Sequence, residues 1–185
     1  MKKLCFAILF ATVGLMQQTN AQEVQFGAKA GLNVSTFSGG DADRNSLIGF
    51  HAGFISEIPL SEKFSLQPEL LYTTQGSEAN GNVKVKVDYI ALPIMAKYYL
   101  ADGFSLEVGP QFSFLVNDKI EFEDSILPEF DTDAANIDVG ANIGLGYNLG
   151  DNMLVQARYN FGITTVAENP DVKNSVFQVS LGYKF

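Results

Sequence analysis

Tryptophan is absent from this chain, and histidine and cysteine occur once each. The lone cysteine, Cys5, lies near the start of an N-terminal apolar run, and the rest of the chain has none. That excludes disulfides, thiol catalysis and cysteine-bound metals from everything after the run. Past the run, no stretch approaches the roughly 20 consecutive apolar residues that a membrane-spanning helix needs. Charge is sparse, at 18% of residues, and basic residues are outnumbered, 12 against 21 acidic. An acidic balance of this kind argues against nucleic acid as a partner. The lack of a long apolar run does not exclude a membrane location, because a β-barrel crosses with strands whose lipid face is diluted by polar alternate residues.

The N-terminal run has the layout of a secretory signal. Lys2 and Lys3 form its charged start, Leu4 to Met16 its apolar core, and Thr19-Asn20-Ala21 its small-residue cleavage site. The expectation is a cleaved segment over 1–21 and a single domain over 22–185. Cys5 does not follow the apolar core as a lipoprotein cysteine would, so no lipid anchor is expected. The 12 basic residues less Lys2 and Lys3 leave 10 against 21 acidic, a mature net charge of −11.

What the remainder has is alternation. From Asn174 to the end, Phe177, Val179, Leu181, Tyr183 and Phe185 fall on one phase, with Gln178, Ser180, Gly182 and Lys184 on the other. Alternate side chains of a strand point to opposite faces. The same two-residue period predicts seven earlier strands, near 24–37, 47–58, 64–75, 83–100, 104–116, 136–149 and 152–163. Polar stretches at 38–46, 76–82, 117–135 and 164–173 alternate with tight turns at 59–63, 101–103 and 150–151. Eight strands with long loops at one end and short turns at the other predict an all-β, eight-stranded antiparallel up-and-down transmembrane barrel. Lys84, Lys86 and Asp88 share the apolar phase of the fourth strand. That predicts either a strand end projecting above the membrane or a bulge that shifts the phase.

A soluble barrel would place its apolar face inside, with a charged face outside. Here the polar face is mostly Gly, Asn, Gln and Ser, a poor solvent surface. The apolar face carries aromatics near its ends: Phe26, Phe64, Tyr98, Phe104, Tyr147 and Tyr183 toward the turns, and Phe37, Phe50, Tyr72, Phe114, Phe161 and Phe177 toward the loops. Two such belts match the interfacial girdles of a membrane barrel, and the lipid-facing reading is the favoured one. The polar phase then faces inward with four cations, Lys29, Lys97, Arg158 and Lys184, and four carboxylates, Glu57, Glu69, Glu107 and Asp138. An eight-stranded interior is only wide enough for side chains to fill it, and buried charges persist when paired. The expectation is an ion network that plugs the lumen and leaves the net negative charge in the loops.

Three segments carry a family likeness: Leu66-Gln67-Pro68-Glu69-Leu70-Leu71-Tyr72, Tyr89 to Tyr99 (Y-I-A-L-P-I-M-A-K-Y-Y) and Val108-Gly109-Pro110-Gln111-Phe112. With Gly27 to Asn33 after a signal segment, they resemble the outer-membrane β-barrel (PorT-like, "porin family") proteins common in the Bacteroidetes. The likeness spans the mature chain. It implies an integral outer-membrane barrel, and for some relatives a role in protein secretion across that membrane. The aromatic-ended last strand likewise resembles the C-terminal signal of outer-membrane barrels, which implies recognition by the barrel assembly machinery during insertion. Pro68, Pro93 and Pro110 fall inside the expected strands, where proline cannot donate to the ladder, so bulges or local breaks in pairing are expected there.

For chemistry the sequence offers little. His51 has no second catalytic member at a spacing that forces contact, and structural lining is the favoured reading. Glu69 with Lys97 or Arg158 reads as a static pair in preference to an ion site. Asp131-Thr132-Asp133 lacks the glycine and distal glutamate of a calcium loop. No enzyme, cofactor or metal is expected. The expected partners are outer-membrane lipid and a protein met at the extracellular loops. The role expected is structural or interactive through those loops, the alternative being a small passive channel for ions or small solutes.

Overall fold

The computed structural model describes residues 23–38, 44–79, 83–122, 136–165 and 172–185. The expected signal segment, the 131–133 acidic motif and most of the 164–173 loop lie outside them. Eight strands are present: β1 (Gln25–Ser38), β2 (Arg44–Ser61), β3 (Phe64–Ala79), β4 (Val83–Ala101), β5 (Phe104–Phe122), β6 (Ile137–Leu149), β7 (Met153–Gly162) and β8 (Lys173–Lys184). Each pairs antiparallel with its sequence neighbours, and β8 pairs with β1 to close the barrel. The β4–β5 and β6–β7 turns are tight enough to place Gly103 (φ 75°) and Gly150 (φ 68°) in the left-handed region, where a Cβ would be strained.

The alternation settles into one orientation around the whole ring. Ile48, Phe54, Val108, Ile143, Leu145 and Leu181 point outward and are exposed, whereas Lys29, Glu69, Lys97, Glu107, Gln156 and Arg158 are buried in the lumen. This inverts the core of a water-soluble protein. The turn-end belt includes the cross-strand pairs Phe64 with Tyr98 and Phe104 with Tyr147. At the other end the Phe50 and Tyr72 rings lie 6.0 Å apart.

Two expected loops are shorter than the polar sequence suggests. The β3–β4 ladder runs on through Gly76 with Lys86, Ser77 with Val85, Glu78 with Lys84 and Ala79 with Val83. The expected loop at 76–82 is therefore mostly hairpin, because a valine-rich partner strand recruits G-S-E-A into pairing. Likewise Asn117 to Phe122 pair with Asp88 to Val83, so β5 extends six residues into the stretch read as an acidic loop. β4 keeps a single phase throughout. The register shift sits opposite, on β5, where the partner changes from Asn117 at Asp88 to Leu115 at Tyr89. Val116 is the extra residue, and Lys84, Lys86 and Asp88 stay on the outer phase. Pro68, Pro93 and Pro110 cause no bulge. The β3–β4 ladder lapses between Pro68/Ile94 and Leu71/Ala91, and the β4–β5 ladder lapses between Pro93/Gln111 and Ala96/Val108, in both cases without a change of register. Local breaks are the form that proline takes here.

Candidate functional site

The lumen is the site. Its inward positions come from all eight strands, and what fills it is mostly polar. Seven of the eight inward charges form one continuous chain of alternating sign. Lys184 Nζ lies 3.3 Å from Glu57 Oε2, which lies 3.1 Å from Lys97 Nζ. Lys97 continues to Glu107 Oε1 at 3.8 Å. Glu107 Oε2 accepts from Arg158 Nε at 2.8 Å, and Arg158 Nη2 reaches Glu69 Oε1 at 2.7 Å. Lys29 Nζ ends the chain, 2.7 Å from Glu69 Oε2.

Neutral side chains complete the bonding that the charges leave open. Gln156 accepts from Lys29 and donates to both Glu107 oxygens. Gln67 accepts from Lys97 and donates to Glu69 at 2.6 Å. The Tyr99 hydroxyl donates to Glu57. These three were missed by a search for charge, although each is on or beside the inward phase that would have marked it. Space for the long side chains comes from glycine. A Cβ at Gly144 would meet Arg158 Cγ at 2.6 Å, and one at Gly146 would strike the Glu107 carboxylate. A chain in which every ion touches one of opposite sign, backed by neutral hydrogen bonds, is how a low-dielectric interior tolerates seven ions.

Asp138, the eighth inward charge, stands apart from this chain. It is buried near the loop end of β6 and accepts from Thr164 Oγ1 at 2.6 Å and Asn174 Nδ2 at 2.8 Å. Among the described residues no cation pairs with it. Sequence phase placed it correctly in the lumen, but the axial level that separates it from the chain depends on strand register.

His51 does acquire partners. Gly31 on β1 lies opposite both His51 on β2 and Ser180 on β8. With no side chain between them, the imidazole crosses β1, and its Nε2 meets Ser180 Oγ at 2.7 Å. Its Nδ1 meets Asn33 Oδ1, also at 2.7 Å. The Asn33 amide nitrogen is directed at the Phe50 and Thr74 carbonyls and at Thr73 Oγ1, which makes Oδ1 the acceptor. The imidazole therefore carries its proton on Nδ1 and accepts the serine proton at Nε2, a tautomer assigned from the network. That is the polarity of a nucleophile, base and orienter. Two requirements of catalysis are missing. The strand backbone amides are committed to the ladder and form no oxyanion hole, and all three side chains are buried at 2% exposure or less in a filled lumen. The arrangement is a clasp across the seam where the barrel closes.

The residues of the C-terminal pattern lie on the opposite side of the wall. Phe177, Val179, Leu181, Tyr183 and Phe185 all project outward, between 45% and 75% exposed. The Phe185 amide donates to the Phe26 carbonyl at 2.8 Å, the last bond of the closure.

Comparison with known proteins agrees with this geometry. No curated protein matches the chain in sequence. Among solved structures it is similar to Ail, the attachment invasion locus protein of Yersinia pestis. The TM-score is 0.59 at 16% identity, over 89% of this chain and 100% of that one. It is equally similar to Neisserial surface protein A, with a TM-score of 0.59 at 16% identity, over 88% of this chain and 98% of that one. At such identity the likeness is one of fold. The model of the outer membrane protein beta-barrel domain matches residues 16–168, and the chain belongs to that family as an integral outer-membrane barrel.

Proposed function

We propose that this protein is a closed barrel whose role is structural or interactive, carried by the strand ends and loops on the extracellular side. The observation that carries the reading is the unbroken chain from Lys184 to Lys29, which occupies the lumen with paired, immobilised side chains. The eight charges named above cancel, so the mature net charge of −11 is carried by the rest of the chain. That favours a neutral or basic protein partner. Ail has been solved with the heparin analogue sucrose octasulfate, but a polyanion of that kind would be repelled here. In this reading Met1 to Ala21 is a cleaved signal, the outward aromatics of β8 are read by the barrel assembly machinery, and the chain is of the PorT-like kind found in the Bacteroidetes, some of which are linked to secretion.

The alternative is a small passive channel, favoured by one feature: most of the buried side chains are polar or charged, so a rearranged plug would leave a wet path. Single-channel recording of the purified protein in a planar bilayer separates the two, after a heat-modifiability gel establishes that it is folded. The closed barrel is expected to be electrically silent. Steady, discrete openings that change on neutralising Glu69 or Arg158 would overturn it. If the protein is silent, trimming within 123–135 is expected to abolish partner capture while leaving the barrel folded.

A further inference from the structure

We propose that the extracellular end of the lumen binds one hard cation of the calcium class, held by the oxygens of Asp138, Asn174 and Gln75 beside the Tyr89 hydroxyl. Asp138 is 3% exposed, and its carboxylate accepts two hydrogen bonds where it has room for about four. No cation among the described residues neutralises it, unlike the three inward glutamates. Three further buried side-chain oxygens of the inner face lack partners among the described residues. Asn174 Oδ1 belongs to the same amide whose nitrogen donates to Asp138. The Tyr89 hydroxyl, on a fully buried side chain, lies close enough for Asn174 and Asp138 to act on it, yet no atom completes a hydrogen bond to it. Gln75 Oε1 lies on the same inner face, diagonal to Tyr89, since Gln75 pairs with Val87 and Thr73 with Tyr89.

A buried polar atom without a partner is costly to leave so. Asn174 and Tyr89 stand beside the carboxylate, and Gln75 is the next inward side chain diagonal to Tyr89, so one occupant would serve them all. Three of the four groups, the carboxylate and the two amide oxygens, are acceptors only. One water has two protons to give and no charge to offset Asp138. A cation answers all of the acceptors together and supplies the missing charge. An all-oxygen set selects a hard ion, and a single carboxylate places the affinity in the weak class, on the order of 10⁻⁴–10⁻³ M.

The chain has no tryptophan, so tyrosine is the sensitiser for terbium luminescence, and Tyr89 is placed to serve a bound ion. The experiment titrates terbium chloride into the folded protein, purified in detergent, with excitation of tyrosine. The expected result is saturable emission, competed away by calcium chloride, with at least tenfold weaker affinity in Asp138→Asn. In Tyr89→Phe the emission should fall severalfold, while terbium still raises the unfolding temperature. Asn174→Asp adds a second carboxylate and is expected to bind at least tenfold more tightly, which keeps the test decisive should Asp138→Asn fail to fold. Emission that never saturates, or that is unchanged in Asp138→Asn, overturns the site and assigns the signal to acidic loops. An unchanged or weakened affinity in Asn174→Asp overturns it as well.

Discussion

Glu69 is where the ion chain is most vulnerable. Among the described residues it is the only carboxylate within pairing distance of Lys29, and it also holds one arm of Arg158. The chain has four cations and three carboxylates, so losing a carboxylate doubles an existing imbalance, whereas losing Arg158 removes it. Glu69→Gln keeps the shape and strands the Lys29 ammonium. Breaking a buried pair from one side costs about 3–5 kcal/mol. Glu69→Gln is therefore expected to lower unfolding stability by about that much, and Arg158→Gln by less, despite the larger side chain it removes. Urea unfolding of the two variants in lipid vesicles gives the ranking. If Arg158→Gln is the more damaging, hydrogen bonding rather than charge balance governs the plug.

At the scale of a strand, legibility followed pattern strength. β6 alternates without a fault from Ile137 to Tyr147 and was readable directly, as was the lipid-facing phase of β8. The tips of β3 and β5 were not readable, since G-S-E-A and N-D-K-I-E-F have turn-like or acidic composition and become strand only because β4 pairs with them. The same limit hid the His51 clasp: Ser180 is 129 residues away, and only the register of three strands over Gly31 brings it within 2.7 Å. The extended tips also explain Lys84, Lys86 and Asp88 on the outer phase. β4 has 19 residues where about 9–11 cross a membrane, so its first turn of ladder stands above the hydrocarbon. Charge on the outer face should then be cheap at that level and costly lower down. Ile143→Arg, midway along β6, is expected to destabilise the folded barrel by about 2–4 kcal/mol, while Lys86→Leu shifts it by less than about 1 kcal/mol. Equilibrium unfolding of both in the same vesicles reads the difference, and equal costs would put the β4 tip back inside the bilayer.

For the molecule as a whole, everything depends on one non-local contact, the pairing of the last strand with the first. Twelve residue pairs join β1 to β8, from Gly27 with Lys184 to Ser38 with Lys173. Without them the lumen would open to lipid along the seam, and backbone groups on two edges would lose their partners in a medium with no water to replace them. The closure also sets the register that lets Lys184 reach Glu57 and Ser180 reach His51, so the plug and the clasp exist only in the closed ring. This register is open to direct chemistry, because the chain after Cys5 contains no cysteine. Ala30 and Leu181 are directly opposite on the outer face. Antiparallel partners sit about 4.5–5.5 Å apart at Cα, inside the range that a disulfide bridges. Ala30→Cys with Leu181→Cys is expected to cross-link rapidly under mild oxidation, giving a near-circular chain that migrates anomalously until reduced. Ala30→Cys with Val179→Cys, two residues out of register, should cross-link far more slowly. Fast reaction of the second pair would mean that β8 has slipped and that the lumen contacts described above belong to another register. In the chain-entropy picture a bridge closing so long a loop contributes about 4–5 kcal/mol. The in-register pair should therefore also resist urea beyond the wild type.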